Sequence, residues 1–425
     1  MPASRSQMPG GPWLAKVAVG TLTAFCLAVA GFAADGSVAA SPQPTVSAEP
    51  VTLAVAVPPS PVPTPVPPPP ASSTAAPPPP APPRAFTIAV TGDILTHSPV
   101  VRVAQASGAT VGLPYDYRPM FADVAPLLSA ADLAVCHLET PLSPDGQGLS
   151  YFPVFTVPRE IADAVAWAGY DACSTASNHS VDGGAAGVTD TLDVLDAAGI
   201  PHAGMARTPD EGATPRLLDV NGVTVGHLSY TYGLNGFSLP ADKPWLVDLI
   251  DADRILAEAR AARAAGAEFV LVSVHWGEQY LTAPTEQQSA LAHQLLAAPE
   301  VDLIAGHHAH VVQPVERIGD KWVAYGLGNF LSNQSGRCCA AGTQDGVIVR
   351  FTVAERDGRF VVAGARYEPT WVEPGTYRIV PVLAALADPA TPPGLRAALE
   401  ASRARTADAI GMLGAPATPA VAQFP

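Results

Sequence analysis

The sequence predicts an α/β domain that carries a second sheet. Three observations lead there. From residue 85 onward, short apolar runs alternate with amphipathic stretches at helical spacing, as strands joined by helices do. Asn221-Gly222 separates two alternating runs, the strongest short-range hairpin signal. After residue 310 the alternation gives way to successive strand-like runs.

Taken in order, "AFTIAV" reads as a short buried strand. "YRPMFADVAPLLSAA" has the apolar spacing of one helix. "DLAVCHL" is a strand, "PREIADAVAWAGY" a helix with Pro near its start, and "DACSTAS" a strand. "GAAGVTDTLDVLDAAG" is a helix that ends at Gly199. The hairpin lies in "TPRLLDVNGVTVGHLSYT". The helix "DADRILAEARAARAAG", the strand "EFVLVSV", the helix "TEQQSALAHQLLAA" and the strand "VDLIAG" follow. "VVQPVERIG", "KWVAYG", "GVIVRFTVAE" and "FVVAGARYEPTWV" are strands of the second sheet, and the amphipathic "GLRAALEASRARTADAIGML" is a final helix. No internal repeat and no Gly-rich phosphate loop is present.

Residues 1–40 place Arg5 and Lys16 before an apolar run, Val17 to Ala34, followed by small residues. This is the layout of a secretory signal or, at that length, an uncleaved membrane anchor. Residues 41–84 are almost only Pro, Ala, Val, Ser and Thr and cannot bury a core; "PVPTPVPPPP" favours a stiff, extended spacer. The expected organisation is signal or anchor, spacer, a folded domain over 85–383 and a helical tail over 384–425. It places the domain outside the cytoplasm, secreted or held at the membrane's outer face by the N-terminal segment.

The formal charge of the 425 residues is −15. A nucleic-acid partner is excluded on that ground, since phosphate contacts need clustered Lys and Arg. A polyanionic substrate would need local help, most simply from metal ions. Of the cysteines beyond Cys26, Cys136 and Cys173 fall in buried strands and are expected as packed thiols. Cys338-Cys339 lies in a loop, where a vicinal bridge would be strained. The absence of a CxxC pair argues against a thiolate zinc site.

The residues just past the strands form a pattern. Asp93 follows the first, Glu139 the second, and Asn178-His179 the third. His275 ends "EFVLVSVH", and His307, His308 and His310 follow "VDLIAG". Ligands of open α/β sheets bind at the carboxyl ends of the strands. Singly, each residue has a plainer reading: a turn Asp, a solvated Glu, an Asn helix cap, a core His. Three imidazoles in four positions are poor core material, however, and one site explains every position. The groups suit borderline or hard divalent metals. They are too many for one four-coordinate zinc and suit two ions bridged by a carboxylate.

The segments "TGDILTH", "HLETPLS", "SNHSVDGG", "VSVHWGEQY", "AGHHAHVVQPVE" and "YGLGNFLSN" resemble, in order and spacing, the CapA family of poly-gamma-glutamate synthesis and capsule-biosynthesis proteins. That family is similar to the calcineurin-like metallophosphoesterases. The resemblance spans residues 86–376 and implies a four-layered α/β/β/α sandwich with two divalent ions, manganese, iron or zinc. By matching motifs it makes Asp93 a ligand of the first metal and Glu139 the bridge. Asn178 and His275 hold the second metal, and His308 and His310 complete the shells. His307 is an additional candidate ligand, and His179 stands beside the metals as proton donor. Tyr230 and Asn329 match pocket-lining segments, and His97 is placed at the rim. Departures are Glu278, taken as a substrate-binding residue though one place early in "HWGEQY", Ala309 between the last two histidines, and "HLE" where "NLE" is common. The function expected is hydrolysis of an anionic cell-envelope polymer or peptide such as poly-gamma-glutamate, at an amide or phosphoester bond. The alternative is a non-catalytic protein of capsule or poly-gamma-glutamate assembly that binds the polymer in the same cleft.

Overall fold

The computed structural model describes residues 84–414 and 417–420. The expected signal or anchor, and the spacer up to residue 83, lie outside the described residues. Among the described residues no helix is long and apolar enough to cross a membrane.

The chain runs β1 (Ala85–Ile94), α1 (Ser98–Val111), α2 (Arg118–Phe121), α3 (Ala125–Leu128), β2 (Leu133–Leu138), β3 (Leu142–Ser143), β4 (Val157–Pro158), α4 (Glu160–Trp167) and β5 (Ala172–Ser174). It continues with α5 (Gly184–Ala197), β6 (His202–Ala203), α6 (Pro209–Ala213), β7 (Arg216–Val220), β8 (Val223–Thr231), α7 (Ala252–Ala264), β9 (Phe269–His275), α8 (Glu286–Ala297) and β10 (Leu303–His307). Then come β11 (Val315–Ile318), β12 (Lys321–Ala324), β13 (Asn329–Leu331), β14 (Asp345–Arg356), β15 (Arg359–Val372), β16 (Ile379–Pro381), α9 (Val382–Ala387), α10 (Pro393–Ile410) and β17 (Thr418–Pro419).

Two sheets result. The first has the order β16-β15-β14-β1-β2-β5-β6, with β13 against β1 and β17 against β15; the second has the order β11-β12-β10-β9-β8-β7. Strand parity sorts the side chains into layers. Ile88, Val90, Val135 and Val349 of the first sheet meet Val225, Leu271, Leu303 and Ala324 of the second in one core. Phe86 stands edge-on to Phe269 at 5.9 Å across it. The opposite parity, Ala89, Ala134 and Ile348, packs under α1 to α5. Val270, Val272 and Ile304 pack under α7 and α8. The fold is therefore the expected four-layered α/β/β/α sandwich.

Local chemistry explains most elements. The β7–β8 hairpin turns at Asn221 and Gly222, with φ of 54° and 80°. Asp251 caps α7 through Arg254 N, and Thr285 and Gln288 form a capping box on α8.

Some expectations are corrected. The helix expected over residues 117–131 is two single turns, α2 and α3. Pro126 tolerates the first turn of α3 but would clash inside a continuous helix. Helix α1 was not read in the sequence. Cys136 and Cys173 are not packed thiols but a disulfide. They face each other across the β2–β5 register with Cα atoms 4.5 Å apart, within the span a bridge needs. The final helix is tied to the domain: Ala409 and Ile410 join the inter-sheet core, and Arg405 pairs with Asp345 at 2.7 Å.

Candidate metal centre

Five parallel strands end at one place, and parity decides which side chains face each other there. Val135 points into the inter-sheet core, so His137, two residues on, sits at its top. Leu271 and Leu303 do the same for His275 and His307. Strand β1 needs a correction of register. Val90 pairs with Val135 and Asp93 with His137, so three residues of β1 span two of β2. This bulge turns Asp93 to the face of His137, which strict alternation from Val90 would deny it. Gly92 makes room: a Cβ there would lie 2.1 Å from Gly328 O. His308 and His310 follow β10 with φ of 90° and 56°. Left-handed backbone at two non-glycine residues costs energy, and such strain gathers at functional sites.

Asp93, Glu139, Asn178, His275, His307, His308 and His310 all come together, each buried. Asp93 Oδ2 lies 3.1 Å from His310 Nδ1, and Oδ1 lies 3.3 Å from His307 Nδ1. The His308 backbone N–H donates to Asp93 Oδ2 at 3.2 Å. Glu139 Oε1 stands 3.9 Å from both His275 Nε2 and His310 Nε2. Asn178 Oδ1 is 2.9 Å from His275 Nε2. The ligand atoms of Asp93, Glu139 and His310 all lie within 4.8 Å of one another.

A cation fits this set. Both Glu139 carboxylate oxygens, Asp93 Oδ1 and the Nδ1 atoms of His307 and His308 are buried without a hydrogen-bond partner. Each such orphan costs about 1–3 kcal/mol, more when charged. The 3.9 Å gaps are too long for hydrogen bonds. Two ligands each about 2.0–2.2 Å from one ion stand at such separations. Electrostatics agree. Burial keeps His275 and His137 well below the usual imidazole range and His308 at about 3, so their lone pairs stay free. Burial raises Glu139 to about 7. For Asp93 burial pulls upward, yet the His307 and His310 imidazoles beside it hold it well below the carboxylate range. His310 is raised to about 9; burial opposes this, but Glu139 and Asp93 outweigh it.

His137 went unread as a site residue. Ser174 Oγ donates to Cys136 O at 3.2 Å and so accepts from His137 Nδ1–H at 2.8 Å. His137 Nε2 is then the acceptor for His275 Nδ1–H, at 2.9 Å, and His275 Nε2 presents a lone pair beside Asn178 Oδ1, where one ion would join the two. Although Asp93, His137 and His307 also cluster within 4.8 Å, both nitrogens of His137 are thus engaged, and we assign it to orienting His275. Its position two residues before Glu139 was the signal available in the sequence.

His179 stands beside the cluster. Its Nδ1 lies 2.7 Å from Asp182 Oδ2, and its ring packs edge-on to Phe155 at 4.8 Å. Asn235 accepts from Asn178 Nδ2 at 3.0 Å, and its own amide nitrogen is 3.3 Å from His179 Nδ1 and 3.4 Å from Nε2. Asp182 and Asn235 were not anticipated; Asp182 stood in the quoted "SNHSVDGG". His97 is buried against Phe155 and drawn down to about 4 by that burial. Asn329 is fully buried. Its amide donates to Thr343 O at 2.9 Å and its oxygen stands 3.0 Å from His310 Nδ1, so it orients His310 rather than meeting substrate.

Two expected pocket residues lie elsewhere. Tyr230 pairs with Val274 and shares its parity, so it packs under α7 and donates to Glu258 at 2.5 Å, on the face away from His275. Glu278 is exposed, and it is Tyr280, with φ of 71°, that faces His310, ring to ring at 6.2 Å.

Comparison with known proteins follows this geometry. The family described as bacterial capsule synthesis protein PGA_cap matches residues 87–334. The capsule biosynthesis protein CapA of Bacillus anthracis is 28% identical over 256 residues, covering 58% of this chain and 60% of its own length. The PGA biosynthesis protein CapA of Bacillus subtilis is 27% identical over 284 residues, covering 64% of this chain and 69% of its own. Among solved structures, the calcineurin-like phosphoesterase YfkN of Bacillus subtilis superposes with a TM-score of 0.39 at 15% identity, over 76% of this chain and all of that one.

Proposed function

Because the chain belongs to the bacterial capsule synthesis protein family, we propose that it is an extracytoplasmic hydrolase that uses two divalent ions to cut an anionic cell-envelope polymer. A relative named for PGA biosynthesis supports poly-gamma-glutamate as the polymer. The bond cut is an amide or a phosphoester.

The observation that carries this reading is Glu139, buried between His275 and His310 with both carboxylate oxygens unpartnered. Asp93, Glu139 and His310 would hold one ion, and Glu139, Asn178, His275 and His308 the other. Manganese, iron or zinc would suit these ligands. Bound divalent ions supply Lewis-acid polarisation of the scissile bond and activation of water. They also offset the repulsion between a polyanion and a chain of net charge −15.

The remaining work falls to this chain's residues. Asp182 accepts from His179 Nδ1–H and fixes the ring, which leaves Nε2 as the atom that takes up a proton and passes it to the leaving group. Asn235 ties that ring to Asn178, so donor and metal ligand keep a set spacing. Asn329 Oδ1 and Asp93 Oδ2 both face His310 Nδ1, which turns Nε2 toward Glu139.

The test is metal analysis of the purified protein, joined to a screen of phosphoesters against gamma-glutamyl peptides. Turnover that depends on the metal and on Glu139 supports the hydrolase. A metal-loaded protein that is inert toward both substrate classes yet binds poly-gamma-glutamate would replace it with the assembly reading.

A further inference from the structure

Cys338 and Cys339 lie in the loop between β13 and β14, and the metal centre makes no use of them. Cys338 is exposed, Cys339 partly so, and their sulfur atoms are 2.6 Å apart. Both backbone N–H groups donate to Ser335 O, at 3.1 and 3.0 Å, in a tight turn that presents the two thiols together.

This loop is fastened to the metal centre at several points. Asn329, which orients His310, donates to Gln334 Oε1 at 3.2 Å before the thiols and to Thr343 O at 2.9 Å after them. Cys339 hydrogen-bonds with Tyr280. Tyr280 in turn donates its backbone N–H to Ala309 O at 2.7 Å, between His308 and His310.

We propose that Cys338 and Cys339 form a dithiol modification site, which an exposed disulfide oxidises to a vicinal disulfide and whose state is felt by the His308–His310 ligands. The thiolate of Cys338 attacks one sulfur of the donor disulfide and releases one donor thiolate, forming a mixed disulfide. The thiolate of Cys339 then attacks the Cys338 sulfur and releases the second. The two protein thiols lose two electrons and two protons; the donor gains them and leaves as two thiols. Cys338 suits the first step by its exposure. Burial pushes its thiol up, but hydrogen bonds with Cys339 and Ser335 bring it below the ordinary thiol value, while burial and Cys338 raise Cys339. A bridge between adjacent residues must span Cα atoms ~3.8 Å apart, short of the usual disulfide range, so it is strained and readily reduced.

The experiment treats the full-length protein with oxidised glutathione. Trypsin cutting after Arg337 and Arg350 releases both cysteines on one peptide, apart from Cys26, Cys136 and Cys173. The expected product is that peptide lighter by two hydrogens, restored by dithiothreitol, with Cys339→Ser trapping one glutathione on Cys338. Manganese binding by calorimetry should differ between the reduced and oxidised forms and be insensitive to the oxidant in Cys338→Ser. Two glutathione adducts on the peptide, or two untouched thiols, would overturn the dithiol site. An internal disulfide that leaves manganese affinity unchanged would overturn the coupling.

Discussion

His275 Nδ1 lies 2.9 Å from His137 Nε2, and His137 Nδ1 lies 2.8 Å from Ser174 Oγ. One hydroxyl that donates to a backbone carbonyl thereby sets the tautomer of two imidazoles and keeps a lone pair on His275 Nε2. Such outer hydrogen bonds are typically worth 10–100-fold in metal affinity. His137→Ala and His137→Phe are both expected to weaken manganese or zinc binding by about that factor. The second keeps the volume filled and so separates orientation from packing. Calorimetric affinities equal to the parent's in both variants would mean that the relay does not orient His275.

His308→Ala and His310→Ala should each lower metal content and also the melting temperature measured with metal present. A ligand bound only by the folded state stabilises it by RT ln(1 + [L]/Kd), so weaker binding appears as lost stability. The melting difference should shrink when both proteins carry a chelator. Unchanged metal stoichiometry in both variants would count against the cluster as a site.

His179→Ala should keep metal content and fold while losing turnover by about 10²–10⁴-fold, the range of general acid help. Asp182→Asn replaces the carboxylate that faces His179 Nδ1–H with a neutral amide, and should lower turnover less while shifting its pH profile. Asn178→Ala should lose metal instead. A parent-like rate in His179→Ala would remove its assigned role.

Glu368, far along β15, offers a stability test independent of function. Burial raises its pKa from 4.5 to about 7, although the Leu383 N–H donates to Oε1 at 2.7 Å. The folded state thus holds this proton more tightly than the unfolded chain. The stability it contributes is present below about pH 4.5, declines as pH rises and is gone above about pH 7. Glu368→Gln keeps the acceptor and removes the titration. Relative to the parent, it should gain stability between pH 5 and 8, by up to about 3 kcal/mol at 1.36 kcal/mol per pKa unit. Urea melts at pH 5 and pH 8 that show the same difference would refute this.

Gly92→Ala should be severely destabilising, at the top of the usual range of about 0.5–3 kcal/mol or beyond it. The added Cβ would meet backbone, Gly328 O at 2.1 Å and Leu327 O at 2.6 Å, with no flexible side chain to move aside. Denaturant midpoints measure the cost, and a near-neutral variant would show that the β1 bulge can relax.

The sequence by itself determined the α/β class, the second sheet and the chemical type of the site. Apolar runs of strand length alternating with helical spacing can bury themselves only as sheets covered by helices. The polar residue ending each run must then collect at one edge, so Asp93, Glu139, Asn178, His275, His308 and His310 could be read before any coordinates. What tertiary structure alone decided was facing and register. The bulge between Val90 and Asp93 reverses strand parity and aims Asp93 at His137. Parity places Tyr230 against α7 and away from the cleft. The β2–β5 register sets Cys136 opposite Cys173. His137, Asp182, Asn235 and Asn329 acquire their roles only from partners 3 to 138 residues away. Local pattern encodes which residues a strand carries, whereas a hydrogen-bond partner across the core depends on how separate strands align, and no single segment contains that information.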